Sequence, residues 1–261
     1  MTLPEVPLHV VDQGGGRPLL LVHGFPLDHS MWQGQIDELA FECRVIAPDL
    51  RGFGRSPATA GAVTMERFAD DLAVALDRLE IHTPVVLCGL SMGGYIAWQF
   101  WRRHRARLAA LVLCDTRAGA DTAEVARGRL ATAERVLREG PGVLADTMLE
   151  RLFAPATSAQ RPELVEAVRR TILNTSAAGA AAALRGMAER LDMTDQLGQI
   201  DVPTQVVCGQ YDVLSPVAEM QDLASRIAGS QFTVIPDAGH MSPLENPAAV
   251  NAAIRSLLRR L

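Results

Sequence analysis

Val85-Val86-Leu87-Cys88-Gly89-Leu90-Ser91-Met92-Gly93-Gly94 carries an apolar, strand-length run into a glycine-flanked serine and then into helix-compatible sequence. A Gly-x-Ser-x-Gly segment between a strand and a helix fits a sharp turn that lifts a serine hydroxyl to the carboxyl edge of a sheet. Such a turn strains the serine backbone. A side chain two positions before or after it would collide with the adjoining helix and strand, and glycine removes that clash. A tight strand-to-helix turn with no chemistry could share the pentapeptide, so the rest of the chain has to decide.

Outward from that stretch, strands and helices alternate. Leu8 to Asp12 reads as a short strand, Pro18 to His23 as a buried one, and Arg44 to Pro48 as a third. Ser30 can cap a helix through Ala40, and Thr64 caps another with Phe68, Leu72, Ala75, Leu76 and Leu79 at helical spacing. After Ser91 a helix runs from Met92 to about His104, and Leu108 to Cys114 is again strand-like. Strands apolar on both faces imply a parallel sheet covered by helices on both sides, an α/β architecture.

The alternation stops between Arg117 and Leu197. That segment divides at Gly140-Pro141, Pro155 to Ser158 and Thr175-Ser176 into about four helical pieces. The expected organisation is a core of residues 1–116 and 198–261 with a helical cap, 117–197, inserted over the carboxyl edge of the sheet. Alternation resumes with strands at Thr204 to Gly209 and Gln231 to Pro236, a helix from Ser215-Pro216, and a final helix from Asn246-Pro247.

Of the 261 residues, 48% are hydrophobic and 21% charged, a globular balance with enough chain for a substantial core. Net charge is −5 and no basic block occurs, which argues against nucleic acid as a partner. All 25 basic residues are arginine, so lysine chemistry is excluded. The four cysteines, Cys43, Cys88, Cys114 and Cys208, form no CxxC pair or zinc spacing and read as buried free thiols of a reducing, cytoplasmic compartment. No signal peptide or membrane-length apolar run is visible, so no membrane insertion is expected, and a homodimer is an admissible assembly.

A serine hydroxyl needs a base, and the base needs an acid to hold its tautomer. Of the six histidines, His9, His29, His82 and His104 sit at surface or helix-end positions, and His23 is placed to hold local backbone. Only His240 follows the last strand in a loop, in the chain order serine, aspartate, histidine. Asp212 and Asp115 each follow a core strand and compete as the acid, with Asp212 in the usual order. Asp237 lies too near His240 in the chain. A developing oxyanion needs donors. The backbone N–H of Met92 at a helix start and that of Phe25 in the loop after the His23 strand are the candidates.

The ordered set His23-Gly24-Phe25-Pro26, Asp49-Leu50-Arg51-Gly52-Phe53-Gly54-Arg55-Ser56, Gly89 to Gly94, Asp212 and Gly239-His240 resembles the α/β-hydrolase superfamily over essentially the whole chain. Within it the sequence is similar to small bacterial serine esterases, 3-oxoadipate enol-lactonases and cofactor-free haloperoxidase-type perhydrolases. The resemblance implies an eight-stranded, mostly parallel sheet with a helical cap, a Ser91, Asp212, His240 triad, and an oxyanion hole at Phe25 and Met92.

Ser91 disfavours dehalogenase and epoxide hydrolase chemistry, because a serine ether could not be hydrolysed. The leading expectation is therefore a carboxylesterase for small or medium uncharged esters, needing no metal or organic cofactor. Phe25, Trp32 and Met241 are its candidate pocket walls. A lactonase or C–C hydrolase acting on acidic ring-cleavage products would need an arginine such as Arg117, Arg127, Arg129 or Arg151 to reach the pocket. A non-catalytic receptor on the same scaffold is the reading from a different class.

Overall fold

The computed structural model describes residues 5–261. Regular structure begins with β1 (Val10–Gly14), β2 (Pro18–Val22), α1 (Gln33–Leu39) and β3 (Arg44–Pro48). It continues through α2 (Met65–Arg78), β4 (Val85–Leu90), α3 (Met92–Arg103) and β5 (Leu108–Cys114). The helices α4 (Ala123–Glu139), α5 (Gly142–Leu152), α6 (Pro155–Gln160), α7 (Pro162–Asn174) and α8 (Ala177–Ala188) follow without a strand. The chain closes with β6 (Thr204–Gly209), α9 (Val217–Ser225), β7 (Gln231–Ile235), α10 (Ser242–Glu245) and α11 (Pro247–Leu258).

The strands form one sheet in the order β1-β3-β2-β4-β5-β6-β7. Only the β1–β3 pair is antiparallel. Every residue of β2, β4 and β6 is buried, as expected for a parallel sheet sandwiched by helices. Chain order reverses at β2: β3 lies on one side of it and β4 on the other. A crevice opens at such a switch point, outside the carboxyl ends of the strands. The loops carrying Phe25 and Ser91 leave β2 and β4 at that place.

Seven strands form among the described residues rather than eight. These seven correspond to the seven strand-like runs of the sequence, and the eighth is implied only by the resemblance; ahead of Val10, Pro7 has no N–H to give to a further ladder. The first strand is also two residues later than expected. The helix expected to be capped by Ser30 starts differently: Asp28 Oδ1 accepts from Ser30 N and caps a 3-10 turn, His29–Trp32, that leads into α1. The segment 117–197 holds five α-helices, not four. Pro155, read as a break, starts α6, since a proline at the first helical position forfeits no helical hydrogen bond.

Helix α3 is buried from Met92 to Trp101 and is largely apolar all round, with Gln99 a buried polar side chain, as suits a central helix. Helix α2 exposes one face, and its Thr64 cap accepts from Arg67 N at 3.2 Å as expected. The alanine-rich α8 packs along α4 and is tied to the core by Val63 N donating to Ala182 O at 3.0 Å. Thr175 Oγ1 donates to Pro26 O at 2.9 Å, which links the end of α7 to the loop after β2.

A buried ion pair fixes the loop after β3. Arg51, 1% exposed, donates through Nε and Nη2 to both oxygens of Asp71 on α2, at 2.7 and 2.6 Å. Arg67 Nη2 also reaches Asp71 Oδ1, at 3.0 Å. Breaking a buried pair costs about 3–5 kcal/mol, the low end applying where a second partner remains, whereas a surface pair contributes about 0–1 kcal/mol. Arg51→Ala should therefore lower unfolding free energy in urea by about 3 kcal/mol. Arg44→Ala, which breaks a solvent-accessible bond to Asp12, should cost about 1 kcal/mol or less. Equal costs for the two variants would contradict this assignment.

Candidate active site

Ser91 occupies the turn between β4 and α3 with φ 52° and ψ −111°, a conformation that L-residues seldom adopt. The surroundings hold it from both sides. Ser91 N donates to Cys114 O at 2.9 Å, and Ser91 O accepts from Thr116 Oγ1 at 2.7 Å and Gly94 N at 2.9 Å. The flanking glycines have the expected cause. A Cβ on Gly89 would run into the backbone of Gly93, and one on Gly93 would run into the Val22 carbonyl of β2. The close approach of α3 to β2 thus fixes where Ser91 sits.

Asp212 follows β6 and faces His240, which follows β7. His240 Nδ1 lies 2.8 Å from Asp212 Oδ2, and both side chains are buried. A carboxylate can only accept, so Nδ1 carries a proton, and the neutral ring then has its lone pair on Nε2. The other Asp212 oxygen accepts from Leu214 N at 2.7 Å and Ser215 N at 3.0 Å, which orients the carboxylate. Glu245 steadies the histidine loop, accepting from Gly239 N and from Ala154 N, each at 2.8 Å. Ser91 and His240 line one cavity of about 510 Å³ beneath the helical segment. Among the described residues the N–H groups of Phe25 and Met92 have no acceptor, although Met92 is fully buried. Met92 stands at a helix start, where an unpaired donor favours an anionic acceptor, and Phe25 lies in the loop after β2.

Of the residues expected at the pocket, Phe25 lines it. Trp32 and Met241 do not. Trp32 is 0% exposed within the core, and Met241 is buried with its N–H bound to Leu152 O. His23 holds backbone, as expected: Leu50 N donates to its Nε2 at 3.0 Å, so its Nδ1 bears the proton donated to Gly24 O. Burial keeps that ring below the usual imidazole range, consistent with a neutral histidine. Residues that motif reading missed are Tyr95, Asp121 and Arg190, which reach the cavity only through tertiary packing.

Among the described residues two clusters bring metal-type donors within 4.8 Å of one another, His9, His29 and Asp49, and Asp115, Cys208 and Asp212. Their donor atoms are already engaged. Asp49 accepts from His29 and from Arg55 N, and the Arg55 guanidinium lies 3.4 Å from His9 Nε2. Asp212 holds His240, and Cys208 Sγ donates to the carbonyls of Gly209 and Ser215.

The sequence and the fold match known proteins. The model of the alpha/beta hydrolase fold family matches residues 17–247. The 3-oxoadipate enol-lactonase 2 of Acinetobacter baylyi is 30% identical, over 100% of this chain and 96% of its own length. A structure of a thermophilic esterase from Thermogutta terrifontis, described as malate bound, is 51% identical with a TM-score of 0.96, covering 98% of this chain and 94% of that one. The enol-lactonase of Burkholderia xenovorans is 29% identical with a TM-score of 0.90, covering 97% of each chain.

Asp115, the competing acid, does not face His240. Its Oδ1 accepts from Gly209 N at 2.7 Å and its Oδ2 from the Ser242 hydroxyl, so it braces the two loops that carry Asp212 and His240. Burial, and next the Asp212 carboxylate, push the Asp115 carboxyl well above the usual carboxylate range. The native state then holds this proton more tightly than the unfolded chain does. Stability should fall as pH rises from the unfolded value of about 4 toward the raised native value. Urea unfolding across pH should show wild type losing stability relative to Asp115→Asn, which keeps an acceptor and a donor. Asp115→Ala should be less stable than Asp115→Asn by about 1–3 kcal/mol at neutral pH. A wild type that gains on Asp115→Asn with rising pH would mean that the native carboxyl is ionised.

Proposed function

The chain belongs to the alpha/beta hydrolase fold family, and from that premise we propose that it is a serine hydrolase cleaving small to medium carboxylic esters through an acyl-serine intermediate. The observation that carries this reading is that Ser91 and the Asp212-bound His240 open into one cavity. Residues 1–116 and 198–261 act as the catalytic core and 117–197 as a cap that closes the cavity and sets specificity.

The ester carbonyl lies against Ser91 with its oxygen toward the N–H groups of Phe25 and Met92. His240 Nε2 takes the proton as Ser91 Oγ attacks, and the two N–H groups receive the negative oxygen. As the tetrahedral species collapses, the proton passes from Nε2 to the leaving alkoxide, giving free alcohol and an acyl-Ser91 ester. Water then enters, loses a proton to Nε2 and attacks the same carbonyl, and Ser91 Oγ leaves with that proton. Asp212 holds the imidazole in the required tautomer and stabilises its cation, without itself taking the proton. A lactone is a cyclic ester and follows the same course, with the alcohol staying attached to the released acid. The buried, unpaired cysteines suit a cytoplasmic setting. Among the described residues no helix is long and apolar enough to cross a membrane.

Hydrolysis of p-nitrophenyl acetate and butyrate tests the reading. Ser91→Ala and His240→Ala should each lower kcat by about 10⁴-fold or more, and Asp212→Asn by about 10³–10⁴-fold. Turnover that persists undiminished in Ser91→Ala would overturn it.

A further inference from the structure

The part of the cavity formed by the helical segment is not the apolar chamber expected for neutral esters. Arg117, Arg129, Arg151 and Arg190 line it against a single acid, Asp121. They arrive from separate elements: the loop after β5, α4, α5 and the segment that follows α8. We propose that the cavity takes esters or lactones bearing a carboxylate besides the reacting carbonyl, and that this arginine wall receives it. The proposal rests on the reading of Ser91 and His240 as the reacting pair.

The local bonding leaves cationic capacity unused. Asp121 is shared by two arginines, Arg129 Nε and Arg190 Nη1, each at 2.5 Å. Burial alone would raise its carboxyl, but Arg129 and Arg190 outweigh that and hold it below the usual range, so it stays ionised. One anion between two guanidiniums leaves a net positive charge. Arg190 has a side chain only 5% exposed, its Nε finds no partner, and its guanidinium lies 4.4 Å above the Tyr95 ring. A buried guanidinium N–H without an acceptor points to one supplied from outside. Among the described residues the Arg151 guanidinium has no hydrogen bond or ion pair, and it stands at the cavity as a free fork. Arg117 is compensated by Glu219 at 3.1 Å, and its Nε is likewise unpartnered.

Guanidinium forks match the planar geometry of a carboxylate, and pairs with such groups are among the stronger hydrogen bonds. The volume of about 510 Å³ accommodates a small acid-bearing ester. Met148, Leu152 and Leu184 supply apolar surface for its carbon chain. A neutral ester would leave Arg151 without a counter-charge and Asp121 shared between Arg129 and Arg190.

The test compares p-nitrophenyl hydrogen glutarate with its methyl-capped diester, which lacks the free carboxylate. Wild type should favour the acid in kcat/KM by about tenfold or more, mainly through KM, and raising ionic strength should narrow that preference. Arg151→Gln should cut the acid-over-neutral ratio by about 10-fold, since a charge-assisted contact is lost. Arg127→Gln, an exposed change on α4 away from the cavity, should leave the ratio within about twofold. A wild type that prefers the capped diester, or an Arg151→Gln variant with an unchanged ratio, would overturn the proposal while leaving the serine hydrolase reading intact. Cleavage of neither substrate, or cleavage that survives Ser91→Ala, would instead remove the reading on which it rests.

Discussion

The close approach of helix α3 to strand β2 is the constraint on which the site depends. The Val22 carbonyl touches the space where a Cβ on Gly93 would sit, and the backbone of Gly93 does the same for Gly89. With both positions bare, the turn can be tight enough to hold Ser91 at φ 52°. Bonds from Cys114 and Thr116 then resist its relaxation. A looser turn would set the serine into helix or strand geometry and move its hydroxyl away from the cavity. The strain is stored where the chain needs a fixed hydroxyl, and the buried sheet offsets it.

Around that fixed point the molecule divides its work. Strand ends supply Ser91, Asp212 and His240, each from a loop short enough to inherit the rigidity of the sheet. Buried carboxyls brace those loops from behind: Asp115 joins Gly209 to Ser242, and Glu245 joins Gly239 to Ala154. Glu245 also couples the histidine loop to the start of α6, so the cap is anchored beside the residues it covers. Proposed chemistry therefore belongs to the sheet and proposed selectivity to the helices between β5 and β6.

That division explains what could be read from the amino-acid sequence. The loop positions of Ser91 and His240 and the succession of strands along the chain were legible because glycine spacing, apolar runs and loop position are local signals. Asp212 against Asp115 was a preference only. Both follow core strands, and the facing of a carboxylate is decided by register between β5, β6 and β7. The seven strands read from apolar runs are the seven that form, whereas the eighth was implied only by the resemblance to the superfamily and no apolar run of the described residues corresponds to it. Trp32 and Met241 were misplaced for a related reason: large apolar side chains near a site fill the core as readily as they line a cavity. The cap was least legible. Arg127 and Arg129 look alike in sequence, yet two positions on a helix differ by about 200° in direction, and only Arg129 reaches the cavity. Arg190 and Asp121 join it through packing of α4 against α8, which leaves no local mark.

The central claim is that Ser91 is the reacting nucleophile and that His240 activates it. The most direct measurement is labelling of the intact protein with a fluorophosphonate, followed by mass spectrometry of the whole chain and its peptides. The account predicts one adduct per chain, located on Ser91, with labelling slowed by orders of magnitude in His240→Ala. An adduct on another serine, or sustained ester hydrolysis by a protein that takes up no label, would contradict it.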